Sequence, residues 1–403
     1  MSVNNINCQQ SCHNARLIIN ARCVSDFGAF LNMVALSTYV YLLSESVFSV
    51  SLFLACRVAG GIVASLLGTP FFRRYFGRSS LIGFDLLRAT LLALLLVLSA
   101  AQQLFILPFI AFGIGLGNSM FAIGLNSLLP YWVDVSQRVT TNAWITSMAS
   151  AGAVSGSRVS GLLVAGSGFQ AVFATNIATY LVAALLIIPL RFISKPEVNS
   201  VKTQRNEWHE LTLGLRGAPL LACMLLLTMI DTLGSAAHNV GFPIISKLLT
   251  PASAGTTMGL LLAVWAAGKF SGARLTSYWL RNRDPRRMEG LFFLGVALMS
   301  TGFILVFQQT EMSWPLIFIL WAGIGDGMAE VSLVSRAQHE PDHLRLPIFS
   351  LMTLMQMTGF GVGMLVVAPF YAWLKPAVVI ILFHGLPLIT LLLIVVRWRY
   401  RRG

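Results

Sequence analysis

Charge is scarce in this chain. Asp, Glu, Lys and Arg make up 11% of its 403 residues, against about 25% in soluble domains. The longest hydrophilic stretch, about 191–217, is too short to fold as a soluble domain. The net charge of +13 therefore has no soluble basic face on which to act, and a nucleic-acid partner is excluded. Cysteine is equally sparse: five, an odd number, which argues against a disulfide framework. Cys23, Cys56 and Cys223 lie in apolar runs and read as small buried hydrophobes. Cys8, Cys12 and His13 have no second Cys/His cluster to complete a zinc site, so no metal is expected. His209-Glu210 lacks the second His of a metalloprotease, and Gly113-x-Gly115-x-Gly117 does not open a helix after a strand. With no Walker A motif either, an enzyme is not expected. Energy is expected from a proton gradient, with no cofactor. Residues 1–16 lack the basic region of a signal peptide and are expected to form a cytoplasmic tail.

What the chain has instead is apolar residues: 56% of the total, with a mean hydropathy of +0.76. Lipid is the solvent for most of it. Windows of about 20 apolar residues give spans at 17–43, 47–72, 79–100, 104–129, 142–166, 170–190, 218–243, 254–280, 288–308, 314–335, 347–373 and 376–396. The basic residues between spans are lopsided. One side collects Arg16, the Arg73–Arg78 loop, Arg138, the 191–217 linker, Arg281–Arg287, Arg336, Arg345 and the tail at 397–403. The other side has only Lys247 and Lys375. Such asymmetry places both termini in the cytoplasm and requires an even number of spans.

The linker separates two halves, 17–190 and 218–396, which resemble each other. Gly113-Ile114-Gly115-Leu116-Gly117 in the fourth span recurs as Gly323-Ile324-Gly325-Asp326-Gly327 in the tenth, 210 residues on. The basic loop at Arg73–Arg78 has a counterpart at Arg281–Arg287, about 208 on, and Gly152, Gly156 and Gly161 have counterparts in Gly359, Gly361 and Gly363 at a roughly similar spacing. A parallel repeat of two six-helix halves is a transporter layout.

Three motifs resemble the major facilitator superfamily, in particular its exporter branch that includes enterobactin exporters and macrolide efflux pumps. After the second span the chain reads Gly68-Thr69-Pro70-Phe71-Phe72-Arg73-Arg74-Tyr75-Phe76-Gly77-Arg78. This keeps the basic residues and terminal Gly-Arg of the family's Gly-x-Leu-Ala-Asp-Arg-x-Gly-Arg, followed by Asp85-x-x-Arg88. The family's aspartate, which helps latch the cytoplasmic gate, is missing. The fifth span reads Gly152-x-x-x-Gly156-Ser157-Arg158-x-Ser160-Gly161, similar to the antiporter pattern Gly-x-x-x-Gly-Pro-x-x-Gly-Gly. The tenth span is followed by Gln338-x-x-Pro341-Asp342-x-Leu344-Arg345. The resemblance implies an all-α integral membrane fold of twelve transmembrane helices in two pseudo-symmetric six-helix bundles. It assigns gating to Arg73, Arg74, Gly77, Arg78, Asp85 and Arg88, and close helix packing to Gly152, Gly156 and Gly161. The length and basic tail are similar to exporters that give producers of microcin-type peptide antibiotics self-immunity.

Charges inside spans are costly unless paired or wetted, which makes each one a candidate for function. Asp26 lies about 13 Å into the first span, one turn after Arg22. Loss of hydration favours a protonated carboxyl and a nearby Arg opposes it, so such a group is poised to exchange protons. Arg57 lies near the midplane and should point inward, toward Asp26 or an anionic group of the substrate. Asp231 holds the matching place in the seventh span, with His238 two turns on. A hydrogen-bonded structural role is the plainer reading of that histidine. Asp326 and Glu330, four apart, share a helix face and form the sharpest proton-relay candidate, or else an ion pair with Arg336 or Lys269. Arg158 and Lys269 are cationic lining or partners for those carboxylates, and Arg274 snorkels.

The expectation is a bacterial inner-membrane, proton-coupled exporter of a small metabolite, working as a monomer in the lipid bilayer. A gradient-driven importer of the same fold and a non-transporting membrane enzyme or receptor are the alternatives.

Overall fold

Backbone in hydrocarbon must satisfy its own hydrogen bonds, so apolar runs of this length fold as helices. The computed structural model describes residues 3–194, 207–280 and 284–400, and among these the regular structure is helical. The helices are α1 (Val3–Ser44), α2 (Val47–Arg74), α3 (Arg78–Val97), α4 (Ala100–Trp132), α5 (Arg138–Ile187) and a short α6 (Glu207–Gly217). Then come α7 (Pro219–Leu249), α8 (Ala254–Trp279), α9 (Pro285–Val306), α10 (Ser313–Ala337), α11 (Asp342–Trp373) and α12 (Pro376–Tyr400). A single 3-10 turn, Pro251–Ser253, precedes α8.

α5 holds two of the expected spans. Gly168 breaks it with φ 76° and ψ 179°, a conformation that costs only glycine little. Ten of the helices are long and apolar enough to cross a membrane, with Arg138–Ile187 counted once. α8, which carries Lys269 and Arg274, is not among those ten. With it and the second arm of α5, the spans among the described residues number twelve.

α1 begins at Val3 rather than near residue 17, so most of the expected N-terminal tail is helix. Ser11 and Asn14 are fully buried there. The Asn14 side chain donates to the carbonyls of Trp132 and Arg191, each at 2.8 Å, and Ser11 donates to Gln137 at 2.9 Å. A polar composition that reads as a tail serves to satisfy backbone groups at the ends of α4 and α5. Of the linker, residues 195–206 lie outside the described residues, as do Arg281, Arg283 and the tail beyond Tyr400.

The chain forms two compact units: residues 1–141, 151–211 and 340–354, and residues 142–150, 212–339 and 355–403. A simple cut at the linker would miss one feature. Residues 142–150 of α5 belong to the second unit, and the opening turns of α11 to the first.

Within each unit the fourth or tenth span packs closely on its neighbours because glycines remove side chains from the contact. A Cβ on Gly115 would lie 1.9 Å from the Arg57 carbonyl oxygen, and one on Gly60 would lie 2.1 Å from that of Phe112. In the second unit, Gly323 meets the Trp265 carbonyl at 2.1 Å and Gly268 that of Leu320 at 2.3 Å. Gly115 and Gly323, Arg57 and Trp265, Gly60 and Gly268, and Phe112 and Leu320 are each 208 residues apart. Packing therefore corrects the register of the glycine repeat from 210 to 208, where the basic loop already lay. The motif slips by two because alternate glycines face different neighbours: Gly325 meets the Gly295 carbonyl on α9, while Gly327 meets that of Lys269 on α8.

The three glycines of the fifth span divide. Gly152 and Gly156 sit against the backbone of Phe27 on α1, at 3.0 and 2.5 Å from a built Cβ, while Gly161 meets nothing within 4 Å. Gly115→Ala is expected to cost about 1–3 kcal/mol by overpacking and to lower the unfolding temperature in detergent. Gly161→Ala is expected to leave that temperature unchanged or raise it.

Candidate functional site

The densest group of intramembrane charges lies in the second unit. Lys269 of α8 bridges two carboxylates of α10, with Nζ 3.1 Å from Asp326 and 2.7 Å from Glu330. Helical spacing puts Asp326 and Glu330 on one face, and Gly323 and Gly327 bring that face onto α8. A Cβ on Gly327 would lie 2.2 Å from the Lys269 carbonyl oxygen, so a larger residue would push the ammonium away from its partners. Thr146, in the α5 turns that belong to this unit, donates to the other oxygen of Glu330 at 3.2 Å. The Trp265 ring lies 5.4 Å from the ammonium. Asp231 of α7 lies within electrostatic reach of both Asp326 and Lys269, and its buried Oδ1 has no hydrogen-bond partner. Asp326 and Glu330 thus share one ammonium, with Asp231 a further carboxyl group in their field. Ionised together they leave an excess of negative charge, which protons can neutralise.

Among the expected partners, Lys269 takes both carboxylates. Arg336 instead pairs with Glu289 of α9 at 2.9 Å. Arg274 does not simply extend to water; its guanidinium lies 4.1 Å above the Trp144 ring. His238 is structural in setting: it hydrogen-bonds His384 of α12 at 3.1 Å and stacks on Phe303 at 3.8 Å.

Two ion pairs stand inside the spans of the first unit among the described residues. Arg22 and Asp26 of α1 meet at 2.9 Å, so Asp26 is held by its own helix and not by Arg57. Arg88 and Asp85 pair within α3, and Arg88 also donates to Asn118 of α4 at 2.6 Å. Arg88 stacks on Tyr180 at 4.3 Å and Phe121 at 5.0 Å. Asp85 is 0% and Arg88 2% exposed, so the pair is buried in the helix packing. Arg57 and Arg158 make no ion pair among the described residues.

The loop after α2 works through its last two residues. Gly77, at φ 136°, turns the chain into α3. Arg78 then donates to the carbonyls of Ile188 and Leu190 at 2.5 and 2.7 Å, capping the end of α5 as a cation does at a helix C-terminus. Arg73 and Arg74 are exposed, with Arg74 5.6 Å over the Tyr75 ring. Thr69, one residue into the motif, donates to Ser350 of α11 at 3.0 Å. Nearby, Tyr131 of α4 donates to Asp342 at 2.9 Å, and Arg345 pairs with Asp342 at 2.6 Å. The opening turns of α5 are held by a matching polar contact, with Asn142 donating to Ser335 and Gln338 at 3.0 and 2.8 Å.

Sequence reasoning missed Thr146, Asn118, Tyr131 and His384. Asn118 directly follows the glycine motif, which was a usable signal. Thr146 and Tyr131 are ordinary residues whose partners are 184 and 211 positions away, and nothing local marks them.

The Major Facilitator Superfamily model matches residues 18–364. The chain belongs to the major facilitator superfamily. It is therefore a multi-pass membrane protein of a transporter family, with that family's twelve-helix fold of two six-helix bundles. No curated protein sequence matches it. Among solved structures it is similar to the E. coli fucose:proton symporter, with TM-score 0.74 and 13% identity over 94% of this chain and 97% of that one. It is likewise similar to the human organic anion transporter MFSD10, with TM-score 0.76 and 11% identity over 95% and 99%. A bacterial homologue of the iron transporter ferroportin, in its outward-facing state, gives TM-score 0.76 and 13% identity over 96% and 99%. At these identities the likeness is one of fold.

Lys269→Met should leave Asp326 and Glu330 without their cation, and should lower the unfolding temperature of the purified protein. The triple variant Lys269→Met/Asp326→Asn/Glu330→Gln, which removes both sides of the pairing, should recover most of the loss, since an unpaired buried charge costs more than an absent pair.

Proposed function

We propose that this major facilitator protein is a proton-coupled exporter in a bacterial inner membrane, with both termini in the cytoplasm, acting as a monomer. Its cargo is a small toxic or secreted metabolite (a drug, a siderophore or a peptide antibiotic such as a microcin), so that export confers resistance or self-immunity. The observation that carries this reading is the group formed by Lys269, Asp326, Glu330 and Asp231. A proton arriving from the periplasm has carboxylates to neutralise, and each one neutralised weakens the hold on Lys269. A change in charge that stabilises one state over another shifts their populations, which is how an ion gradient drives alternating access in this class. Asp26, buried beside Arg22, is the second carboxylate suited to this role.

The export direction is supported by Gly152 and Gly156, which occupy antiporter-motif positions and seat the fifth span on α1. The missing gate aspartate has a substitute nearby. Asp342, held by Tyr131 and Arg345, supplies a carboxylate at the start of α11, and Thr69 adds a neutral hydrogen bond to Ser350. Together they serve as the cytoplasmic latch.

Asp26→Asn and Asp326→Asn are each expected to abolish resistance in cells while leaving membrane expression intact. Normal resistance in both variants would rule out the coupling scheme. In inverted membrane vesicles, a proton gradient should drive cargo inward. Gradient-driven uptake by intact cells would favour the importer instead.

A further inference from the structure

The intramembrane charges of the first unit do not balance. The interiors of its spans carry Arg22, Asp26, Arg57, Asp85, Arg88 and Arg158. Both carboxylates are taken, Asp26 by Arg22 and Asp85 by Arg88. Arg57 has neither an ion pair nor a side-chain hydrogen bond among the described residues. Its guanidinium does not give up its proton, and ten residues into α2 it is about 15 Å deep. Snorkelling serves side chains near helix ends, so a cation at this depth needs an anionic partner.

A second unsatisfied donor stands beside it. Tyr180, in the second arm of α5, is 0% exposed, and its hydroxyl is buried without a hydrogen-bond partner. Tyr180 packs in one apolar cluster with Phe53 and Cys56 of α2, the latter adjacent to Arg57, and lies within electrostatic reach of Arg57. The position of the ring is set by Arg88, which stacks on it at 4.3 Å. Backbone placement is equally firm, because Gly115 lets α4 close directly onto the Arg57 carbonyl. The arrangement is a fixed cation and a fixed hydroxyl that lack an acceptor, and buried donors ordinarily have one.

We propose that Arg57 and Tyr180 bind an anionic group, a carboxylate, sulfonate or phosphate ester, carried by the transported molecule. The planar guanidinium can bind two oxygens of such a group side by side, and the tyrosine hydroxyl donates to one of them. That the anion belongs to cargo rests on the transporter reading above; the anion site itself does not.

The test uses the purified full-length protein in detergent, with binding read by fluorescence titration. The probes are 1-naphthoate, naphthalene-1-sulfonate and 1-naphthyl phosphate, compared with neutral 1-naphthol and cationic 1-naphthylmethylammonium. At least one anionic member should bind about tenfold more tightly than the neutral and cationic ones, as a charge-assisted bidentate contact allows. Arg57→Gln should remove that preference and Arg57→Lys should reduce it. Tyr180→Phe, which keeps the ring, should weaken the anion by about tenfold. Should Arg57→Gln fail to fold, Arg57→Lys and Tyr180→Phe decide the matter by the same comparison. Equal binding of all five probes, or unchanged anion binding in the variants, overturns the proposal. Inorganic phosphate and phosphatidylglycerol are separate competitors. Displacement by inorganic phosphate as effectively as by the naphthyl anions assigns the site to a free anion, and displacement by phosphatidylglycerol assigns it to a lipid headgroup; either overturns the assignment to cargo. Binding in detergent needs no gradient, so it stands or falls separately from export by the Asp26 and Asp326 variants.

Discussion

Lys269 held between Asp326 and Glu330 is the contact on which the second unit depends. A bare charge in hydrocarbon costs about 3 kcal/mol or more, so three such groups in two spans persist only because they meet. The meeting is a matter of distance. At 2.7 and 3.1 Å the ammonium is within hydrogen-bonding reach of both carboxylates, and that reach requires α8 and α10 to pack backbone to backbone. The same requirement explains α8 itself. Its polar residues weaken its case as a lipid-spanning helix, but inside the unit they are paired or stacked on aromatic rings.

Glycine provides the close approach. In both units the carbonyl oxygens of α2 or α8 lie where the side chain of a larger residue would begin. Small residues let membrane helices associate without a hydrophobic driving force between them. Here they do more, because they set the depth and facing of the charges. Gly115 seats α4 on Arg57, and Gly327 seats α10 on Lys269. The two units share this scaffold at a 208-residue offset, yet they use it for opposite charges. The first is left with unpaired guanidinium groups, and the second with more carboxylates than its cations balance.

The exchange of helix ends gives the units their other connection to function. Residues 142–150 of α5 and the first turns of α11 are grouped outside their own sequence halves, with bonds through Asn142, Thr146, Asp342 and Ser350. These are hydrogen bonds between neutral side chains or from a hydroxyl to a carboxylate, with one short-range ion pair, where the family pattern relies on a loop aspartate.

Much of this was legible in the sequence because hydropathy and charge asymmetry act over windows of twenty residues, and lipid allows few alternatives to a helix. Composition, span positions, the duplicated layout and the list of intramembrane charges follow from the chain alone. So does the pairing of Arg22 with Asp26 and of Asp85 with Arg88, since four and three residues along a helix return to the same face. Partners on different helices do not follow. The choice of Lys269 over Arg336 for Asp326, the burial of the Asp85–Arg88 pair, the roles of Thr146 and Tyr131, and the two-residue slip in the glycine register were decided only in the tertiary structure. Each depends on which face of one helix meets which face of another, and that is set by backbone-to-backbone packing across hundreds of residues, which no local pattern encodes.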